Sequence, residues 1–167
     1  MDPRTSVRQC GRSTHVLRLV ERDAARDTGL MRELIRAARR VHETLGPGFV
    51  ESTYENALAV QLRAQAIAYE RQVPVPVHYR AIVVGVHRID LLVERRVIVE
   101  MKAVKDLLRV HFAILRSYLR ASGCPSGLLL NFGRDSLDVR RVLPAPTPPP
   151  ALAWVGPRPF TRRTRPL

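Results

Sequence analysis

The chain has 167 residues, with 28 Lys plus Arg against 15 Asp plus Glu and a formal net charge of +13. That length holds one domain with extensions and hardly two. Two cysteines, Cys10 and Cys124, in unrelated contexts exclude a disulfide-stapled mini-domain, and no run approaches the ~18 apolar residues of a membrane span.

Residues 1–27 read as a flexible or short-helical extension, in which only Val16, Leu17 and Val20 have helical spacing. The folded unit is expected over residues 28–143. Met31, Leu34, Ile35, Ala38, Val41, His42 and Leu45 recur at intervals of three and four, an amphipathic helix. Gly46-Pro47-Gly48 stops it. A second helix follows, capped near Glu51 or Ser52, with Tyr54, Ala57, Leu58, Gln61 and Leu62 on one side. The period then changes to two. Val73, Val75, Val77 and Tyr79 share one strand face, and Pro74 and Pro76 on the other mark an edge or irregular strand. Ile82 to Val93 reads as a long strand bent near Gly85. A turn at Glu94 and Arg95 leads into the next strand, with Val97, Val99 and Met101 on one face and Ile98, Glu100 and Lys102 on the other. A third helix carries Leu107, Leu108, His111, Ile114, Leu115, Tyr118 and Leu119, and Gly123 ends it. Residues 128–132 form a continuous apolar strand suited to a sheet interior. Leu137, Val139 and Val142 suggest a last short strand. Residues 144–167 hold eight of the 13 prolines and no acid, a Pro/Arg-rich disordered tail. The order α-α-β-β-β-α-β-β implies an α/β fold, a mixed sheet flanked by helices.

Two acids break the apolar runs of neighbouring strands: Asp90 within Ile89-Leu91-Leu92-Val93, and Glu100 within Val97-Ile98-Val99-Met101. A carboxylate in a central strand is costly unless it is paired or metal-bound. A turn spanning 94–96 sets Asp90 opposite Glu100, and a tighter turn sets it opposite Val99. Glu100 and Lys102, two apart, point the same way. Two nearby carboxylates and an ammonium suit a divalent cation, and oxygen ligands favour Mg²⁺ or Mn²⁺ over Zn²⁺. The bland alternative is a solvated strand face on which Lys102 pairs with an acid.

These residues resemble the Gly-x-x-Glu-x-x-Tyr proteins, small prokaryotic members of the PD-(D/E)XK nuclease superfamily. Gly48-Phe49-Val50-Glu51-Ser52-Thr53-Tyr54 is similar to the namesake motif. R-I-D-L-L-V at 88–93 resembles the strand bearing the superfamily Asp, and V-I-V-E-M-K-A at 97–103 the strand bearing its Glu-x-Lys. His111 to Leu119 and Leu128 to Gly133 are similar to the later helix and strand. The resemblance covers about residues 31–143. It implies a restriction-endonuclease-like core with Asp90, Glu100 and Lys102 as the signature and Glu51 completing the metal shell. Tyr54 then braces Glu51 or touches a phosphate, and His111 is a candidate substrate contact. One position departs: Ile114 stands where relatives often carry Gln, and Ile cannot hydrogen-bond a water or phosphate.

Arg109, Arg116 and Arg120 make a basic stripe on the third helix, with Arg109 and Arg116 as candidate backbone contacts. The positive charge favours a nucleic-acid partner, DNA before RNA, although an Arg-biased solvated surface gives the same count. His42 reads as packing rather than ligation. The expected protein is a cytoplasmic, Mg-dependent (or Mn-dependent) DNA nuclease, with both thiols free and no membrane partner. A domain of this size would grip duplex DNA best as a homodimer. The alternative is a catalytically inactive nucleic-acid-binding or protein-interaction module on the same fold, which Ile114 motivates.

Overall fold

The computed structural model describes residues 13–145, with side chains from residue 27 onward. The elements are α1 (Ser13–Leu45), α2 (Glu51–Ala64), β1 (Tyr69–Tyr79), β2 (Ile82–Val93), β3 (Val97–Lys102), α3 (Arg109–Ser122), β4 (Ser126–Asn131) and β5 (Asp138–Val142). Their order is the one the periodicity predicts. The expected tail falls outside the described residues from 146 onward.

The five strands make one sheet in the order β1-β2-β3-β4-β5. Only β3 and β4 run parallel, and α3 is the crossover that a parallel pair needs. Every residue of β4 is buried, and β3 is buried up to Lys102. Apart from Glu100, Lys102, Ser126 and Asn131, both are apolar on both faces because helices cover both. On one side Met31, Leu34, Ala38 and Val41 of α1 and Tyr54, Leu58 and Leu62 of α2 pack on Leu91, Val93, Val97, Val99, Met101, Leu128 and Leu130. On the other, Leu115 and Leu119 of α3 pack on Val75, Ile89, Ile98, Leu129 and Val142.

Two elements begin earlier than their spacing suggests. The helix α1 runs unbroken across residues 27 and 28, where the sequence suggested that an extension ends and the domain begins. Asp27 is itself buried, and Arg96 donates to it at 2.7 Å, tying α1 to the β2–β3 turn. The strand β1 starts at Tyr69, because Tyr69, Glu70 and Arg71 already pair with Val93, Leu92 and Leu91. Their polarity hid the strand, and an edge strand tolerates it. The bend expected near Gly85 is a bulge: Val77 pairs with Gly85 and His78 with Val83, which leaves Val84 as the extra residue. Around it the β1–β2 ribbon extends past the end of its pairing with β3, exposing Tyr79, Ile82, Val83, Val84 and Val86.

Candidate active site

The site gathers where β3 leaves the core. Leu91 pairs with Val99 and Val93 with Val97, so the turn spans 94–96 and the register is the one that sets Asp90 opposite Glu100. Glu94 and Arg95 both take positive φ, 51° and 56°, and the Arg96 N–H closes the turn on the Val93 carbonyl at 3.0 Å. Past the Leu91–Val99 pair the regular ladder gives way to a side chain: Asp90 Oδ2 accepts the Met101 N–H at 2.9 Å. The carboxylate is therefore wedged at the seam between β2 and β3.

Glu100 lies two residues after Ile98 and shares its α3-facing side. It is 4% exposed. Lys102 Nζ donates to its Oε1 at 2.7 Å and to the Met101 carbonyl at 2.9 Å. Glu51 comes from the first turn of α2, where the helix dipole favours a carboxylate. Its Oε1 accepts the Ala103 N–H at 3.3 Å, and its Oε2 lies 3.9 Å from Lys102 Nζ. Asp90, Glu100, Lys102 and Glu51, separated by up to 51 residues in sequence, thus meet at one strand end.

Three carboxylates around one ammonium leave a negative excess if all ionise. The titrations reflect it. Burial, reinforced by the Asp90 charge, pushes Glu100 up to about 7, against the pull of Lys102. Burial also raises Asp90, with the Met101 N–H and Lys102 working the other way. Burial works against the charge on Lys102, yet Glu100, Glu51 and Asp90 together hold its pKa above the ordinary value. Lys102 is a firmly charged donor.

Among the described residues no group of three or more His, Cys, Asp or Glu forms a ready-made metal cage. The donor chemistry fits a hard cation nonetheless. Glu100 Oε2 is buried and has no hydrogen-bond partner. A buried carboxylate oxygen left without a partner is costly, and a divalent cation beside Asp90 would satisfy it.

The remaining expected contacts are distributed differently. Tyr54 is fully buried and both roles of its hydroxyl are filled: it donates to the Gly46 carbonyl at 2.7 Å and accepts the Phe49 N–H at 3.2 Å. It pins the turn before α2, where Gly46 and Gly48 have φ of 66° and 109°. Its effect on Glu51 runs through that turn, and it offers nothing to a phosphate, which corrects that part of the sequence reading. His111 Nδ1 accepts the Leu108 N–H at 3.1 Å, so this ring caps α3. Arg109, Arg116 and Arg120 are exposed along the solvent side of α3. Ile114, half-buried on the same helix, brings no polar group. His42 donates to or accepts from nothing in the site: its Nε2 lies 2.8 Å from the Arg134 carbonyl, and its ring is 6.1 Å from Phe132.

Three further residues support the site. Asn131, fully buried at the end of β4, accepts the Val104 and Gly133 N–H groups and donates to the Val104 carbonyl at 2.8 Å. It clamps the chain just after Lys102. A Cβ on Gly133 would lie 2.5 Å from Val104 N, so only glycine permits that approach. Glu55, one turn after Glu51, is buried, accepts from Arg71 at 2.9 Å and Gln72 at 2.6 Å, and adds negative charge beside Asp90. A polar residue inside the apolar run Leu128–Phe132 was the available signal for Asn131; Glu55 carried none.

Among curated proteins none matches this chain. A solved structure described as "Crystal structure of SSO0001" is similar to it at 18% identity with a TM-score of 0.45, covering 57% of this chain and 50% of that one. The chain thus spans half the length of that protein. The PD-(D/E)XK nuclease superfamily matches residues 28–142, from the middle of α1 to the end of β5. That span takes in the mixed, helix-flanked sheet and the Asp90, Glu100-x-Lys102 strand end together, and by it the chain belongs to the PD-(D/E)XK nuclease superfamily, with the restriction-endonuclease-like fold.

Proposed function

We propose that this chain is a Gly-x-x-Glu-x-x-Tyr member of the superfamily that hydrolyses phosphodiester bonds in DNA with Mg²⁺ or Mn²⁺. The observation that carries the reading is the buried, unpartnered Oε2 of Glu100, beside Asp90, with Lys102 bonded to the other oxygen. Asp90 and Glu100 hold the cation and Glu51 completes its shell. Bound there, a divalent cation supplies a Lewis acid for a phosphoryl oxygen and a water of lowered pKa. Lys102 stays charged and donates from Nζ toward the attacking water and the charge that grows on the phosphate. Asp90 keeps the β2–β3 seam fixed through the Met101 N–H, which holds the two carboxylates in one place. Arg109 and Arg116 meet the phosphate backbone outside the site and read no base. His111 can serve only through Nε2, because Nδ1 is already taken.

The test is cleavage of mixed DNA and RNA substrates with each cation, in the wild type, Asp90→Ala and Lys102→Ala. Loss of cleavage in both variants is expected. Activity that persists in both would belong to another site and refutes the assignment. Ile114 favours a second reading, a silent nucleic-acid binder. Calorimetry with Mn²⁺ separates the two: the hydrolytic reading requires saturable heat that Asp90→Ala abolishes.

A further inference from the structure

We infer that Phe49 is a nucleobase platform, and that the site takes nucleic acid with an unstacked nucleotide beside the scissile phosphate. The inference rests on the nuclease-type reading of the site and adds its substrate class. Phe49 is 48% exposed, yet it is not loose. Its N–H is held by the Tyr54 hydroxyl at 3.2 Å. Its ring meets the Tyr54 ring edge-to-face, centroids 6.2 Å apart and planes at 83°. Tyr54 in turn stacks on the buried Phe132 at 4.4 Å and 15°. A column of rings runs from the core to the surface and ends at Phe49. An edge-to-face contact covers one face of Phe49 at most, so Tyr54 leaves the other face of the ring open to a ligand.

Phe49 lines an open cleft of about 490 Å³ together with Gly48, Val50, Glu51, Ser52 and Ala103. Glu51 belongs to both the cleft and the carboxylate cluster, and Ala103 directly follows Lys102. Val50, 67% exposed, extends the apolar floor. Phe49 and Val50 give this wall an aromatic and apolar part, and the charge among its lining residues is the Glu51 carboxylate shared with the site. A phosphate would not choose such a wall; the flat face of a base would. In an intact duplex both faces of a base are covered by its neighbours. A stacking wall beside the scissile bond therefore selects single strands, flaps or mismatched positions, where the base is already free.

The experiment is binding of the full chain, in EDTA, to a single-stranded oligonucleotide carrying 2-aminopurine and to the same sequence as a blunt duplex. Phe49→Trp should bind the single strand like the wild type and quench the probe. Phe49→Leu, which keeps apolar bulk without a π-face, should bind it about tenfold more weakly, as expected for one lost base stack. Duplex binding should not separate the variants. Equal single-strand affinity and equal quenching for Phe49→Leu and the wild type would overturn the inference. No divalent cation is present, so the outcome is independent of hydrolysis: a protein that never cleaves but shows this pattern retains the platform and loses the nuclease mechanism. One that cleaves without it does the reverse. Circular dichroism of Phe49→Leu checks that the fold is kept.

Discussion

Replacing Glu100 with Gln should make the metal-free protein less sensitive to alkali. Burial and the Asp90 charge raise the Glu100 carboxyl from 4.5 to about 7. Folding therefore favours its protonated form. The stability this group contributes is complete below about pH 4.5 and is lost as pH rises through about 7. At about 1.4 kcal/mol per pH unit, a rise of this size is worth roughly 3 kcal/mol. Glu100 is nearly fully buried, so solvent screening takes little from that figure. Glu100→Gln keeps the shape and still accepts from Lys102, but it has nothing to titrate. Urea unfolding in EDTA between about pH 5 and pH 8.5 measures the difference by linear extrapolation. The variant should gain on the wild type by about 2–3 kcal/mol across that range. Adding Mg²⁺ or Mn²⁺ at the upper end should restore stability to the wild type alone, by about 2.7 kcal/mol at a hundred times the dissociation constant. A gap that stays constant with pH, or a cation that stabilises both proteins equally, refutes the reasoning.

Tyr54→Phe keeps both ring contacts and strands the Gly46 carbonyl and Phe49 N–H, so denaturant unfolding should show a loss of about 1–3 kcal/mol. Gly133→Ala forces a methyl group against the backbone of Ala103 and Val104, and its thermal midpoint should fall by the equivalent of about 1–3 kcal/mol. Lys102→Ala should abolish cleavage while leaving Mn²⁺ binding measurable by calorimetry, because it removes a donor and no metal ligand; binding lost together with activity would give Lys102 a structural role instead.

Much of the fold was written in apolar spacing, because helices on both faces of the sheet make β3 and β4 continuous hydrophobic runs. Within such runs Asp90 and Glu100 stand out, but the sequence left two turn lengths open, and only the Leu91–Val99 pairing decides between them. The wedge that Asp90 drives onto the Met101 N–H was not legible, since no pattern separates a side-chain acceptor from a ladder partner. Tyr54 illustrates the opposite difficulty. Its place beside Glu51 in sequence suggested a contact with substrate, but a tyrosine whose hydroxyl closes a Gly-Pro-Gly turn carries the same spacing. The strand was read only from Val73, because Tyr69, Glu70 and Arg71, which already pair with β2, lack the apolar alternation that begins there.

The β1–β2 ribbon has a consequence for how the protein behaves at high concentration. Its rim carries Pro74 and Pro76, and neither can supply an N–H to an incoming chain. Ile82, Val83, Val84 and Val86 would otherwise make a natural seed for fibril growth. With those two rungs missing, a copy arriving along β1 cannot form an unbroken ladder there. Exchanging both prolines for threonine would remove that block and invite self-templated assembly, visible as thioflavin-positive aggregate.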